Sequence, residues 1–124
     1  MEQNELFEGV GWIGVDLDGT LAEIGDWQGL QFIGKPIKLM VDRVKDWISQ
    51  GYTVKIFTAR VSHKDPKLNE LAEWHIKQWS KKNIGSALEV TCKKDFNMTT
   101  LYDDRCVTVI HNTGLFAHEI TSIN

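Results

Sequence analysis

Short apolar runs that alternate with longer stretches of helical periodicity constrain the fold of this chain most strongly. Three runs have the composition of buried strands, at residues 10–16, 52–57 and 87–91. Between them, apolar residues at helical spacing predict one helix from Pro36 to a cap at Gly51, and a second that opens at Asp65-Pro66. Strands that alternate with helices in this way form right-handed crossovers, so we expect an α/β fold with a mostly parallel sheet.

The remaining segments carry weaker patterns. Residues 19–35 are rich in glycine and have no clear period, which predicts a loop or a small flap. Residues 95–99 are predicted to form a short helical turn, and residues 100–102 a brief strand. The run 106–110, CVTVI, is predicted to be a last strand.

The overall composition fits one soluble domain over residues 1–124. The net charge of -3 disfavours a broad basic face for nucleic acid. Two cysteines are too few for a disulfide framework, which favours a reducing, cytoplasmic location. No apolar run approaches the roughly 18 residues that a membrane span needs, so we expect no contact with a membrane.

Charged and polar side chains follow each of the first four predicted strands. The residues are Asp16 and Asp18, then Thr58 and Arg60, then Lys93 and Lys94, then Asp103 and Asp104. In parallel sheets ligands bind beyond the carboxyl ends of the strands, so these side chains are expected to meet at one edge. Three or four carboxylates near one point indicate a bound cation, and all-oxygen ligands favour Mg²⁺. The lysines and Thr58 would then face an anion, for which phosphate is the natural candidate.

The residue types suit phosphoryl transfer, which needs a nucleophile, charge neutralisation and a proton donor. Asp16 can attack phosphorus, and Asp18 can protonate the leaving oxygen and later activate water. Gly19 permits a sharp turn of the backbone. Thr58 and backbone N–H groups can bind phosphoryl oxygens, and a lysine can cancel charge on the nucleophile and the phosphate.

These residues resemble the motifs of the haloacid dehalogenase (HAD) superfamily. DLDGT at 16–20 resembles its first motif, Thr58 its second, Lys94 its third, and the pair Asp103-Asp104 its fourth. The resemblance implies a three-layer Rossmann-like fold and an Mg²⁺-dependent phosphohydrolase. It also implies that Asp16 forms an aspartyl phosphate and that Asp18 is the general acid/base.

Further roles are implied by the same resemblance. Mg²⁺ would be held by the Asp16 carboxylate, the Asp18 backbone carbonyl and Asp104, with Asp103 in support. Lys94 would be the catalytic lysine, although spacing does not separate it from Lys93. The implied substrate contacts are Gly19, Thr20, Ala59, Arg60 and Lys93.

The spacing between motifs leaves no room for a cap domain, so the chain resembles capless members of the superfamily. It is similar to the phosphatase domain of polynucleotide kinase–phosphatases and to small phage and bacterial HAD proteins. The expected partner is therefore a phosphorylated small molecule or nucleotide, and a 3′-phosphorylated nucleic-acid end is also considered. The oligomeric state stays open.

Several alternatives remain. The substrate could be a small sugar or acid phosphate, or the acceptor could be a molecule other than water. A non-catalytic phosphate- or metal-binding module on the same fold is a third alternative. An EF-hand calcium loop is rejected, because Leu21 and Trp27 occupy the positions where it needs glycine and glutamate. Arg60 has a second interpretation as a structural ion pair, and Trp27 as a residue that pins the flap.

Overall fold

Four parallel strands form the sheet of the protein in a computed structural model that describes residues 11–119. The strands are β1 (Trp12–Asp16), β2 (Thr53–Phe57), β3 (Glu89–Thr91) and β4 (Met98–Tyr102). Their order across the sheet is β3-β2-β1-β4, and all three pairings are parallel. The chain therefore has the α/β class that the sequence predicts, with β1 paired on both sides.

Two helices connect the first three strands. Helix α1 spans Lys38–Ser49 and helix α2 spans Pro66–Asn83. The start of α2 is as predicted, because the Asp65 carboxylate accepts a hydrogen bond of 2.9 Å from the Lys67 N–H and Pro66 follows it directly.

The predicted start of α1 at Pro36 is wrong by two residues. Pro36 instead forms an antiparallel bridge with Ala22. The Ile37 N–H donates to the Leu21 carbonyl at 2.7 Å. These contacts tie residues 36–37 to the turn after β1, so the helix begins only at Lys38.

Both helices pack on the same face of the sheet. Alternate residues of the central strands point into one apolar core and are buried there, namely Ile13, Val15, Val54 and Ile56. The same core contains Val41 and Val44 of α1 and Ile76 of α2. Burial of these side chains is the main favourable term in folding. It holds the strands in the register that aligns their carboxyl ends.

The opposite face is crossed by residues 92–97, which connect β3 to β4. A right-handed return from one edge of the sheet to the other must pass on the face away from the helices. The Trp12 indole lies on that face, is 4% exposed, and donates a 2.8 Å hydrogen bond to Asp95. Within residues 11–119, no helix of the length of α1 or α2 packs on this face. A third layer stays a prediction.

Two predicted elements differ from the structure. The helical turn expected at 95–99 is wrong, because β4 already begins at Met98 and the Trp12 N–H donates to the Asn97 carbonyl at 3.0 Å. The strand expected at 106–110 is also wrong. Val109 makes only an isolated antiparallel bridge with Phe116. Alternating valines form a strand only where a sheet covers one face, and Val107 and Val109 are both exposed.

Neither described helix is long and apolar enough to span a bilayer. Cys92 and Cys106 are free thiols.

Candidate active site

Three carboxylates meet at the carboxyl edge of the sheet. Asp16 is the last residue of β1, and Val15 pairs with Tyr102 at the end of the neighbouring strand β4. The chain after Tyr102 therefore delivers Asp103 and Asp104 beside Asp16. One carboxylate oxygen from each aspartate lies within 4.8 Å of those of the other two. We call Asp16, Asp103 and Asp104 the acidic cluster.

The turn after β1 closes tightly against the acidic cluster. The buried Thr20 hydroxyl lies 3.4 Å from an oxygen of Asp16 and 3.4 Å from an oxygen of Asp104. Gly19 has φ +89°, and a Cβ at this position would overlap the Asp104 carboxylate. A side chain here would be strained by its backbone conformation and would displace Asp104. Glycine and threonine in DLDGT are thus both explained by the approach of Asp104.

Burial and crowding change the protonation of Asp16. Burial is the largest cause, and together with the nearby Asp103 and Asp104 carboxyls it raises the pKa of Asp16 to about 7. A bound cation would offset this repulsion. Three carboxylate oxygens at this spacing are the donors that a hard divalent cation prefers, so the residues fit Mg²⁺.

Asp18 lies near the acidic cluster in sequence, but its carboxylate pairs with Arg60. The guanidinium Nε and Nη2 donate to the two carboxylate oxygens, both at 2.8 Å. Arg60 is only 7% exposed, so this bidentate pair is largely removed from water. The general acid/base implied by the resemblance is therefore held, in this conformation, by a residue that lies 42 positions away.

Arg60 also contacts the flap, which we define as residues 21–35. Its Nη1 donates to the Leu30 carbonyl at 3.2 Å. Its guanidinium carbon lies 4.7 Å from the centre of the Trp27 ring, a distance typical of a cation–π contact. The Trp27 ring thus covers the buried Arg60 side chain. Trp27 is 58% exposed, so the rest of its surface faces solvent. Arg60 thus links Asp18 to the flap.

Thr58 lies at the carboxyl end of β2, next to β1. It is 2% exposed, and its Oγ1 accepts a 3.1 Å hydrogen bond from the Arg60 N–H. This bond caps a short 3-10 helix, Ala59–Val61, and fixes the backbone that carries Arg60. Ala59 is exposed at the start of that helix.

Lys93 and Lys94 follow β3, which β2 separates from β1. Both are exposed. The Lys93 backbone N–H donates to the Thr91 hydroxyl at 3.1 Å. Both lysines thus follow a strand that lies one place farther from β1 than the strand that Thr58 follows, and the structure does not separate their roles.

An open cleft of about 330 Å³ borders the acidic cluster. It is lined by Gly19, Thr20, Ile37, Met40, Tyr102, Asp103 and Asp104. Sequence reasoning missed its apolar wall, because Ile37 and Met40 belong to the start of α1 and Tyr102 to β4. Only the packing of α1 beside β4 brings these residues together. The position of Tyr102 directly before Asp103 is the single local signal that points to it.

The fold and the cluster define an α/β protein with a parallel sheet and an acidic site at the carboxyl edge. No model of a protein family matches the chain, and no curated protein matches it.

Proposed function

We propose that the protein is an Mg²⁺-dependent phosphohydrolase that acts on a phosphate monoester through an aspartyl phosphate on Asp16. The observation that supports this best is the convergence of Asp16, Asp103 and Asp104 at the carboxyl end of the central strand. The tight DLDGT turn beside the cluster adds support, as does the resemblance of the motifs to the HAD superfamily. The three-layer HAD-like arrangement without a cap domain belongs to the same proposal.

The residues that would hold Mg²⁺ are the acidic cluster and the backbone carbonyl of Asp18. When bound, the ion would neutralise charge on the carboxylates and on the phosphoryl oxygens. A bound cation would thus offset the effect of burial and of the neighbouring acids, which together raise the pKa of Asp16 to about 7 in its absence.

In the first chemical step, the Asp16 carboxylate attacks phosphorus as the bond to the leaving oxygen breaks, and Asp18 donates a proton to that oxygen. In the second step, Asp18 takes a proton from water, which attacks phosphorus. Inorganic phosphate leaves, and Asp16 is regenerated. The Thr58 hydroxyl and neighbouring N–H groups bind phosphoryl oxygens, and Lys94 or Lys93 balances their charge.

Asp18 can perform these proton transfers only after its side chain turns from Arg60 toward the acidic cluster. The pair with Arg60 fixes Asp18 in one rotamer between turnovers. Because Arg60 also contacts the flap, movement of the flap and release of Asp18 are coupled in this proposal.

The test is hydrolysis of 4-nitrophenyl phosphate in Mg²⁺, in EDTA, and by Asp16→Asn in Mg²⁺. We expect turnover that requires the metal and falls by about three orders of magnitude or more in the variant, since the nucleophile is lost. Asp46→Asn, an exposed aspartate of α1, is the matched control and should retain activity. Equal activity in Asp16→Asn and wild type would contradict the assignment of the nucleophile.

A second candidate is a non-catalytic module that binds Mg²⁺ and a phosphate group. The bidentate pair between Asp18 and Arg60 favours it, because this pair occupies the carboxylate that catalysis requires. Such a module would bind Mg²⁺ by calorimetry in a way that Asp104→Asn weakens, yet would hydrolyse none of the phosphate esters tested. Metal-dependent turnover would exclude it.

A further inference from the structure

The cleft beside the acidic cluster has two unlike walls. One wall is the Asp103 and Asp104 carboxyls with the turn at Gly19 and Thr20, and the other is Ile37, Met40 and Tyr102. Because the first wall lies at the proposed reaction centre, the second is placed to meet the organic part of a bound ester. The volume of the cleft, about 330 Å³, falls in the range of small-molecule sites.

We propose that the alcohol released from the substrate is uncharged and presents a flat apolar face to this wall. The inference rests on the proposed phosphohydrolase function and names the class of its substrate. It selects nucleotides with one phosphate from among the substrates considered above, and it predicts that simple aryl monophosphates are accepted as well. It excludes acid phosphates, bisphosphates and the polyanionic end of a nucleic acid.

The lining of the cleft is negatively charged. Among the described residues, its lining includes two carboxyls and no lysine or arginine. Even with a divalent cation bound, the three carboxylates keep a net negative charge, and the lysine proposed above is assigned to the phosphoryl oxygens. A carboxylate or second phosphate on the leaving group would meet that charge without a cationic partner. At about 4 Å such repulsion is strong enough to lower kcat/KM by about tenfold or more, depending on exposure to water.

The nearest cations of α1 do not change this balance inside the cleft. The Lys38 ammonium pairs with Asp42 at 2.6 Å. The Arg43 guanidinium contacts the Met40 sulfur at 3.6 Å from the exposed side of the helix. Neither residue belongs to the lining.

The apolar wall offers an aromatic surface that is held in place. The Tyr102 ring is 39% exposed, and it is braced on Trp47, whose ring centre lies 4.8 Å away. A braced aromatic ring offers a fixed surface for a flat partner. Met40 beside it is unbranched and polarizable, so it adapts to rings of different shape.

The test compares two esters that differ in one charge, 4-carbamoylphenyl phosphate and 4-carboxyphenyl phosphate, with Mg²⁺ present. We expect kcat/KM for the uncharged amide to exceed that for the carboxylate by about tenfold or more, in line with the repulsion above. A nucleoside 5′-monophosphate should likewise be hydrolysed faster than phosphoglycolate.

Two lysine variants distinguish repulsion inside the cleft from repulsion by the charge of the protein as a whole. Met40→Lys places a cation in the apolar wall and should make kcat/KM for the amide and the carboxylate about equal. Leu39→Lys adds the same charge to an exposed neighbour outside the lining and should leave the ratio near the wild-type value. Equal kcat/KM for both esters in the wild type would overturn this inference and leave the phosphohydrolase standing. Failure to hydrolyse any ester, 4-nitrophenyl phosphate included, would overturn the proposed function and this inference with it.

Discussion

Asp16 is the residue on which most of the account depends. It ends the central strand, faces two other aspartates, and has a pKa raised to about 7 by burial and by those neighbours. Without a cation, the charged Asp16 carboxylate repels Asp103 and Asp104, whereas with a cation bound it would serve as a ligand. The proposed Mg²⁺ would offset this repulsion.

The first prediction concerns the stability of the metal-free protein. The pKa of Asp16 rises from 3.8 to about 7 on folding, so the folded state binds this proton more tightly than the unfolded chain. The resulting stability is present below about pH 4 and is lost as pH rises through about 7. Thermal unfolding in EDTA should show this loss. Because Asp16 is partly exposed, water screens this effect, and we expect its contribution to be about 1 kcal/mol.

Asp104→Asn tests the cause of that loss. Above pH 7 in EDTA this variant should unfold at a higher temperature than the wild type, because one repelling charge is gone. In saturating Mg²⁺ the order should reverse, since the wild type gains more from binding. Asp46→Asn should track the wild type in both conditions. If the stability of the wild type in EDTA rose from pH 5 to pH 8, the raised pKa of Asp16 in the acidic cluster would be contradicted.

A second prediction concerns Gly19. Gly19→Ala forces a residue with a Cβ into φ +89° and against the Asp104 carboxylate. We expect a loss of about 1–3 kcal/mol in the free energy of unfolding and weaker Mg²⁺ binding. Gly25→Ala is the matched control, since nothing lies within 4 Å of its added Cβ. Urea denaturation and calorimetry measure both effects, and equal behaviour of the two variants would contradict the packing described here.

At the scale of elements, the flap is held to the sheet edge through Arg60. The pair with Asp18 is mostly buried, with side-chain exposures of 6% and 19%. The same guanidinium donates to the Leu30 carbonyl and contacts the Trp27 ring. By contrast, the pair of Lys38 and Asp42 on α1 is exposed. Buried and exposed ion pairs respond very differently when one partner is removed.

Arg60→Met is therefore predicted to destabilise the fold by about 3 kcal/mol, because it leaves the Asp18 carboxylate buried without a partner. Adding Asp18→Asn should recover part of that loss by removing the charge. Lys38→Met should cause no measurable change. Urea denaturation of the three variants is the measurement. A single Arg60→Met variant as stable as the wild type would show that the pair does not hold the flap.

Local patterns predicted most of the elements. Helix α2 is specified by the Asp65 cap, Pro66 and its apolar spacing, all of which are neighbours in the chain. The start of α1 was missed because Pro36 and Ile37 are drawn to Ala22 and Leu21 by tertiary contacts, which override the preference of proline for a first helical turn.

The remaining differences have the same cause. The run CVTVI alternates as a strand should, but alternation records only a preference for a half-buried surface, and no described strand pairs with it. In the site, the acids were predictable because each follows a strand. The alternative interpretation of Arg60 as a member of a structural ion pair is confirmed. Its partner, Asp18, was not predictable, because the pair depends on side-chain rotamers 42 residues apart.

At the scale of the whole molecule, the sheet is covered unequally. Both helices pack on one face, and residues 92–97 cross the other. Strands β1 and β2 are each paired on both sides, and β1 over more residues than β2, whereas residues 105–119 are held mainly by turns and one bridge. Cooperative protection should therefore be greatest at β1.

Hydrogen–deuterium exchange tests this distribution. Amides of β1 should exchange slowest, and those of residues 105–119 among the fastest of the described chain, since few of them lie in a ladder. Protection of residues 106–110 equal to that of β2 would mean that this segment pairs as a strand in solution, contrary to the fold described here.

The most direct test of the central claim is to trap the covalent intermediate. The protein is mixed with 4-nitrophenyl phosphate and Mg²⁺, quenched in acid, and treated with borohydride, which reduces an acyl phosphate to the alcohol. Peptide mass spectrometry should then find homoserine at position 16, dependent on Mg²⁺ and substrate, in the wild type and in the Asp46→Asn control. Turnover of the ester with residue 16 still recovered only as aspartate, or with the reduced residue at another position, would contradict Asp16 as the nucleophile.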